Sequence, residues 1–253
     1  MDNVERKKKI LEILKEKKHI SIKELADLTG FSPVTIRRDV RELEGEGALQ
    51  RSWGYVFLPE VSKYELSFRE REKEYAAEKK RIAQKALKFL RDGMTIGLDA
   101  GTTTLFIAKE IGKSGLNLTV VTPCLPILQL ATRYENLNVL LLGGKYDPEN
   151  LSFVGPITIQ VIEKLHFDIA FIGASAVIPE RGLFTTNPEG AEVDRKLALS
   201  SDFVVGVFDH SKFFKKAPFL SVESSLLHLI ITDHKSKSNI LQQFPDHIKI
   251  ILA

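Results

Sequence analysis

The residues best suited to bind a ligand lie between an apolar run and a helical pattern, in Asp99-Ala100-Gly101-Thr102-Thr103-Thr104. Gly101 lets the backbone approach a ligand closely, and the three threonines supply hydroxyl groups. A helix that begins here points its first N–H groups at an anion. The loop therefore favours a phosphate ligand. The alternative is a tight turn with threonine caps. The loop has neither the Walker A ending nor the dinucleotide-binding glycine pattern, so it does not match those two phosphate-binding motifs.

Further candidate ligand residues stand beside apolar runs in the second half of the chain. They are two glycines, three acids and a lysine: Gly143, Gly144, Asp168, Glu189, Glu192 and Lys212. The glycines permit close backbone approach, and Lys212 offers a point charge to a phosphate. Each also has a plain structural interpretation. A lysine after a strand is usually exposed, and acids at a helix start are stabilised by the helix dipole.

A sheet is needed to position these residues, and the sequence from Lys79 onward predicts one. Short apolar runs alternate with helical patterns. The predicted strands are 94–98, 118–121, 138–142, 169–172, 203–208, 229–232 and 248–252, and the predicted helices are 105–111, 125–134, 155–165 and 191–200. Such runs are typical of buried, mostly parallel strands in an α/β fold. Ligands bind at the carboxyl ends of these strands, where the threonine loop, the glycine pair and Lys212 are predicted to lie.

Length and composition limit the classes of protein that fit. The 253 residues are enough for two domains, and a hydrophobic content of 43% is ordinary for a globular protein. Cys124 is the single cysteine, so an intramolecular disulfide is excluded, and we interpret it as a small buried hydrophobic residue. The charged start of the chain shows no secretory signal, and the apolar runs are too short to span a bilayer. We therefore expect a cytoplasmic protein without membrane association.

A second kind of chemistry is indicated near the N-terminus, in residues 31–44. Ser32 suits the N-cap of a helix. An apolar stripe at helical spacing is predicted to be buried, formed by Ile36, Val40 and Leu43. The rest of the helix presents side chains that suit base edges and phosphates, namely Ser32, Val34, Thr35, Arg37, Arg38 and Arg41. The alternative is a solvated charged face. The net charge of +3 is mild, so DNA binding would depend on local placement of charge.

The residues around this helix predict a winged helix-turn-helix domain. An amphipathic helix comes first, and then Ser21 and Glu24 form a capping box that opens a short helix. A glycine-containing turn leads into the helix described above. Residues 48–51 and 55–58 predict two strands of a β-wing, which would place Arg51 beside a phosphate backbone or the minor groove.

Residues 6–58 resemble the N-terminal domain of the DeoR family of bacterial transcriptional regulators. Residues 32–44 are similar to its recognition-helix signature, Ser-x-x-Thr-Ile-Arg-Arg-Asp-Leu followed by Leu-Glu. The resemblance implies DNA contacts by Thr35, Arg37 and Arg38. We expect Asp39 to hold an arginine or cap a neighbouring element, because a phosphate would repel it. The wing departs from the family pattern, with Arg51-Ser52-Trp53-Gly54-Tyr55 where Arg-x-His-Gly-Gly is usual.

The same resemblance covers the second half of the chain. The shared motifs are 99–104, 143–144, Phe153-x-Gly155, 168–173, 209–213 and 231–233. The family's sensor domain resembles folds of the ribose-5-phosphate isomerase kind. The resemblance implies that the threonine loop and Lys212 bind the phosphate of a phosphorylated sugar or related metabolite, while Asp99, Asp168 and Glu192 line the sugar side. Pro123 stands where the family often has an asparagine, so hydroxyl recognition differs there.

We therefore expect a winged helix-turn-helix DNA-binding domain over 1–58, a solvated linker over 59–75 and an effector-sensing α/β domain over 76–253. The expected function is a transcriptional regulator, a repressor of a sugar-metabolism operon, which binds a double-stranded DNA operator as a homodimer or homotetramer. A phosphorylated sugar is expected to be its effector. We expect no catalytic residues, no cofactor and no metal.

Two alternatives remain open from the sequence. A sugar-phosphate isomerase with an appended DNA-binding module would need a general base, and no base with a positioning partner is identifiable. A nucleotide-binding α/β domain is disfavoured by the missing glycine patterns.

Overall fold

The computed structural model describes residues 3–17, 19–45, 48–52, 55–57 and 67–253. The chain divides into two compact units, Met1–Tyr64 and Glu65–Ala253, which we call the head and the sensor. Part of the wing and the first half of the predicted linker, residues 59–66, lie outside the described residues. Within the described ranges, no helix combines the length and apolar content needed to cross a membrane.

The head is a winged helix-turn-helix unit. Its elements are α1 (Asn3–Lys17), β1 (His19–Ser21), α2 (Ile22–Thr29), α3 (Pro33–Gly45), β2 (Gln50–Ser52) and β3 (Tyr55–Phe57). Strand β3 pairs antiparallel with both β1 and β2. The three helices and the small sheet share one apolar core, to which Ile10, Ile36, Val40 and Val56 belong. Strand β1 was not predicted, because three residues show no periodicity and pair only through β3.

Local capping fixes the bounds of α2, as the sequence predicts. Ser21 Oγ accepts a hydrogen bond from Glu24 N at 3.2 Å, and Ser21 N donates to Glu24 Oε2 at 3.0 Å. This reciprocal capping box satisfies donors that the helix start leaves unpaired. Gly30 ends the helix with φ at 76°, a left-handed conformation that glycine adopts without strain. The short turn that follows leads directly into α3.

The sensor is an α/β unit. Its helices are α4 (Phe68–Lys73), α5 (Ala76–Ala86), α6 (Thr102–Ser114), α7 (Leu125–Ala131), α8 (Pro156–Ile162), α9 (Pro188–Leu199) and α10 (Ser238–Leu241), with 3-10 turns at Leu87–Phe89, His210–Phe214 and Ser224–Leu226. Its strands are β4 (Thr95–Leu98), β5 (Leu118–Thr122), β6 (Leu137–Leu141), β7 (Lys145–Asp147), β8 (Ser152–Val154), β9 (Ile169–Ile172), β10 (Ala176–Ile178), β11 (Gly182–Thr185), β12 (Val204–Val207), β13 (Phe219–Glu223), β14 (Leu229–Thr232) and β15 (Lys249–Leu252).

Seven strands form the central sheet, in the order β15-β14-β12-β9-β4-β5-β6. Every pair in it is parallel, which confirms the predicted mostly parallel sheet. Consecutive side chains of a strand point to opposite faces of the sheet, so Phe171 belongs to one apolar cluster and Ile172 to the other. Helices α5, α6 and α7 contribute to the first cluster, and α8 and α9 to the second. The sheet is therefore covered on both faces.

Two small antiparallel sheets were not predicted. Strands β7 and β8 form a hairpin, and β10, β11 and β13 form a three-stranded sheet. Strand β7 follows β6 and β10 follows β9, so both additions lie beyond the carboxyl edge of the central sheet. Gly182 is required by this pairing, because a Cβ there would lie 2.0 Å from the Val222 carbonyl oxygen.

The prediction of a solvated linker is wrong for the described part of residues 59–75. Helix α4 belongs to the sensor, where Phe68 is 2% exposed and joins the main apolar cluster. Arg71 of the same helix is also buried. The sequence showed only isolated apolar residues here, and one buried phenylalanine produces no periodicity.

Candidate functional site

A cleft opens at the carboxyl ends of β4, β5 and β9, and it encloses about 690 Å³ with its mouth included. Five residues predicted from the sequence line it: Asp99, Gly101, Thr102, Thr103 and Lys212. Other polar residues that line it are Arg71, Asp147, Asn150, Ser152, Ser175, Thr185, Asn187 and Asp194. The cleft therefore combines hydroxyl, amide, carboxylate and cationic groups at the edge where α/β sheets bind ligands.

The start of α6 faces this cleft with its backbone donors. Thr102 and Thr103 form its first turn, and both are buried. Its N-cap is Gly101, which has no side chain to accept the helix's first N–H groups. Helix α9 also begins at the cleft, but Asn187 Oδ1 caps it and accepts from Gly190 N at 3.1 Å. Of these two helix starts, α6 is therefore the one suited to an anion.

Asp99 shapes the threonine loop. Its Oδ1 accepts from Gly101 N at 2.9 Å and from Thr104 Oγ1 at 2.6 Å, while its Oδ2 accepts from Gly173 N at 2.7 Å. Burial raises the pKa of this carboxyl group, and the three hydrogen bonds oppose that rise. Asp99 thus ties the loop after β4 to the loop after β9.

Two cationic side chains reach the cleft from elements far apart in the sequence. Lys212 stands in a 3-10 turn that Asp209 caps, with Ser211 N donating to Asp209 Oδ1 at 3.0 Å. Arg71 comes from α4, and its Nη2 donates to Asn150 Oδ1 at 2.6 Å. Both side chains are largely buried. A buried positive charge is costly, and an anion close to it lowers that cost.

Lys79 lies behind these two cations in the first turn of α5. Its Nζ donates to the Arg71 carbonyl oxygen, and the residue is 2% exposed. Its pKa falls to about 8, chiefly because burial disfavours the ammonium and next because Lys212 repels it. Three buried cations, from α4, α5 and the 3-10 turn, therefore lie near one another beside the cleft.

A polar chain joins the remaining lining residues. Asp147 Oδ2 accepts from Asn150 Nδ2 at 2.8 Å and from Asn187 Nδ2 at 2.6 Å. Asp147 ends β7, Asn150 lies in the β7–β8 turn, and Asn187 caps α9. Carboxylate and amide groups of this kind suit ligand hydroxyls. The cleft thus offers an anion-binding part and a hydroxyl-binding part.

In the head, α3 presents the predicted exposed face. Ser32 Oγ accepts from Thr35 N at 3.2 Å, so Ser32 caps the helix as expected. Ile36, Val40 and Leu43 are buried. Ser32, Val34, Arg37, Arg38 and Arg41 are exposed, and Thr35 is half-buried. Arg51 lies in β2, but its side chain is outside the described parts of the structure. The exposed face has the composition that DNA contacts require.

Asp39 faces the interior of the head. It is fully buried and forms an ion pair with Arg6 of α1, whose Nη2 lies 2.9 Å from Asp39 Oδ1. The Arg6 guanidinium also stacks over the Phe31 ring at 5.1 Å. The expectation that Asp39 holds an arginine is confirmed. The pair fixes α3 against α1.

Comparison with known families covers both units. Residues 6–60 match the DeoR-like helix-turn-helix domain, and residues 74–234 match the DeoR C terminal sensor domain. The chain belongs to the DeoR family. Its curated relatives in this family are transcriptional regulators, and it is accordingly a DNA-binding transcriptional regulator rather than an enzyme.

Several relatives of this DeoR-family chain match over nearly their whole length. The chain is 33% identical to the HTH-type transcriptional regulator GlpR of Haloferax volcanii, over 90% of this chain and 89% of that protein. It is 32% identical to the lactose phosphotransferase system repressor of Streptococcus mutans, over 99% and 100%. A solved ribose 5-phosphate isomerase A from Methanocaldococcus jannaschii aligns at a TM-score of 0.40 and 23% identity, over 53% of this chain and 52% of that one.

The structure does not bring Gly143 and Gly144 to the cleft; they serve packing. Thr158 Oγ1 of α8 donates to the Gly143 carbonyl oxygen at 2.8 Å. Gly144 has φ at 151°, and a Cβ there would lie 2.2 Å from Thr158 Oγ1. The close approach of α8 explains both glycines. Thr104 likewise serves structure, since its hydroxyl group is bonded to Asp99.

Two acids expected to line the sugar side lie elsewhere. Asp168 precedes β9 and accepts from Thr95 N at 2.7 Å, so it stands at the amino edge of the parallel sheet. That edge is opposite the cleft. Glu192 belongs to α9 and is exposed, whereas Val193 and Asp194 of the same helix line the cleft. Glu192 does not line the cleft because it lies on the face of α9 that is turned toward solvent.

Eight polar lining residues were not predicted from the sequence, among them the three hydroxyl-bearing residues Ser152, Ser175 and Thr185. Asn187 carried a signal, since Asn before Pro188 is a typical helix start. Asp147 and Asn150 form a turn in which Asp147 Oδ1 accepts from Glu149 N at 3.0 Å. Asp and Asn are common in such turns, so they gave a signal for a turn and not for a ligand site. Arg71 and Asp194 carried no distinctive signal, because charged residues on helices are usually exposed.

Lys79→Met is expected to remove a pH dependence of stability. The folded pKa of Lys79, about 8, is below the usual 10.5, so between these values the unfolded chain binds more protons. Stability contributed by Lys79 therefore rises with pH through this window and is lost as pH falls through about 8. The free energy of unfolding, measured by urea denaturation from pH 7 to pH 10, should rise more steeply for the unsubstituted protein than for Lys79→Met. The exposed neighbour provides the control, and Lys80→Met should leave the slope unchanged. Equal slopes in all three proteins would contradict the assignment.

Proposed function

We propose that this DeoR-family chain is a repressor of a sugar-metabolism operon, whose affinity for its operator is changed by a phosphorylated sugar or related metabolite. The observation that carries the proposal is the meeting of three anion-binding features in one cleft. These are the start of α6, the hydroxyl groups of Thr102 and Thr103, and the buried Lys212.

Phosphate is the ligand group that fits these features. Backbone N–H groups at a helix start bind phosphate oxygens, and the helix dipole favours their negative charge. Lys212 adds a formal charge in a partly desolvated site, where the attraction is stronger than in water. The amide and carboxylate groups of Asn150, Asn187 and Asp147 then suit the hydroxyl groups of a sugar. One relative is named a lactose phosphotransferase system repressor, so a sugar appears in the name of a protein 32% identical to this chain.

An effector changes DNA binding only if it binds two arrangements of the protein unequally. Paired helix-turn-helix heads read half-sites about one helical turn apart, so we infer a homodimer or homotetramer. A ligand that favours one arrangement of subunits would then change the spacing of the two copies of α3.

Phosphorylated sugars, and not the free sugars, are expected to raise the melting temperature of the sensor. A ligand that binds only the folded state stabilises it by mass action, by about 2.7 kcal/mol at a hundred times its Kd. Lys212→Ala should weaken the shift, because it removes the charge beside the anion. Differential scanning fluorimetry with inorganic phosphate, pentose 5-phosphates, hexose 6-phosphates and the free sugars provides the measurement.

The matched control is Lys216→Ala, which removes one exposed positive charge from the chain close to the same turn. Its shift should equal that of the unsubstituted protein. Equal stabilisation by free sugars and their phosphates would remove phosphate from the proposal. An unchanged shift in Lys212→Ala would remove Lys212 from the site.

A further inference from the structure

We propose that Arg71 binds the anionic group of the effector, and that occupancy of the cleft thereby controls the position of helix α4. The inference rests on the proposed function and adds to it a binding residue and the element that responds to the ligand. Neither follows from the sequence, which places Arg71 in a charged connector.

The first argument is the environment of Arg71. Arg71 is 8% exposed, and it lines the cleft together with Lys212 and the start of α6. Asn150, a neutral amide, accepts from its Nη2, and the Phe68 ring lies 5.6 Å below its guanidinium carbon. A guanidinium presents its donors in a planar fork that matches two oxygens of a phosphate. Arg71 therefore has both the location and the shape to bind a phosphate.

The second argument is the local balance of charge. Arg71, Lys79 and Lys212 interact with one another strongly enough that both of the others lower the pKa of Lys79. Asp209 and Glu74 act in the opposite direction and raise this pKa, while burial remains the largest cause of its fall to about 8. Cations gathered in a partly desolvated region repel one another, and a dianion bound between Arg71 and Lys212 reduces that repulsion. A phosphate monoester is such a dianion near neutral pH.

The third argument is where α4 stands in the chain. Phe68–Lys73 is the first helix of the sensor after the segment that leads from the head. Phe68 and Arg71 lie three residues apart, so one face of α4 packs on the sensor core and also reaches the cleft. Hydrogen bonds join this helix to its surroundings through Arg71, among them one from Lys79 to its carbonyl oxygen and one to Asn150. A ligand that draws the guanidinium toward itself acts directly on this helix.

The test uses the full-length protein and the variants Arg71→Ala, Arg71→Lys and Arg69→Ala. Arg69 is an exposed residue of the same helix, so its variant matches the loss of charge without touching the cleft. Isothermal titration calorimetry measures the affinity of each protein for inorganic phosphate, pentose 5-phosphates and hexose 6-phosphates. Arg71→Ala should weaken binding of the phosphorylated probes about tenfold or more, as expected for a charged hydrogen bond. Arg71→Lys should lose several-fold, and Arg69→Ala should bind like the unsubstituted protein.

Hydrogen exchange separates a ligand-binding role from a merely structural one. The phosphorylated probe that binds the unsubstituted protein should slow amide exchange in residues 67–73, and this protection should be absent in Arg71→Ala at ligand saturation. Arg69→Ala should retain it. If Arg71→Ala does not fold, Arg71→Lys decides, because it keeps the charge and changes only the fork.

Each outcome has a definite meaning. Undiminished affinity in Arg71→Ala, or in Arg71→Lys if the alanine variant does not fold, overturns the inference, and so does equal protection of α4 in the unsubstituted protein and the folded variant. If no phosphorylated probe binds the unsubstituted protein, the proposed function fails instead. The two failures are therefore distinguishable.

Discussion

Asp39→Ala is expected to unfold the head while the sensor stays folded. The substitution leaves the buried Arg6 guanidinium without the carboxylate that faces it. Breaking a buried ion pair in this way costs about 3–5 kcal/mol. A unit the size of Met1–Tyr64 rarely has more than about 3–5 kcal/mol of stability, so the loss is comparable to the whole. The expected result is complete loss of operator binding.

Differential scanning calorimetry of the full-length variant should show the sensor transition at its original temperature and no separate head transition. Asp27→Ala provides the control, because Asp27 is an exposed acid on α2 and its removal changes the net charge equally. The double variant Arg6→Met/Asp39→Leu should recover much of the stability, since it leaves no unpaired charge in the interior. A folded head in Asp39→Ala would show that the pair contributes little, and a double variant less stable than the single one would contradict the electrostatic reason.

The sequence predicted well those elements whose signals are local. The stripe of Ile36, Val40 and Leu43 determines which face of α3 is buried, and the structure agrees. The parallel strands were predictable because runs such as Ile169–Ile172 are buried on both faces and carry no polar residue. The threonine loop was predictable because strand, glycine and helix start occur in sequence order.

The cleft was only partly predictable, because its walls come from distant parts of the chain. Sequence order shows that a residue is near a strand, but not at which edge of the sheet it lies. Asp168 precedes its strand, and a parallel sheet puts it opposite the residues that follow their strands. The Gly143–Gly144 pair resembles a ligand loop, yet the close approach of α8 accounts for it. Arg71 becomes a cleft residue only through the burial of Phe68, which a single aromatic residue does not reveal.

Arg37→Ala and Arg38→Ala are each expected to weaken operator binding by about tenfold or more while leaving the fold of the head unchanged. Both side chains belong to the exposed face of α3, and that of Arg38 is 65% exposed. Arg38 lies 4.0 Å from Glu42, an exposed pair that contributes little stability. Their charges are therefore positioned for a partner outside the chain. Fluorescence anisotropy with genomic fragments selected by the unsubstituted protein measures the loss.

The salt dependence of binding determines what each arginine contacts. An arginine on a phosphate releases counterions, so its removal should lower the slope of log K against log salt by about one and weaken all sequences alike. An arginine on a base edge should instead relax the preference for selected fragments over random DNA. Arg91→Ala, an exposed arginine of the sensor, removes the same charge and should change neither quantity. Undiminished affinity in both head variants would mean that α3 is not the reading helix. The melting shift with phosphorylated sugars should persist in both, because the sensor cleft contains neither residue.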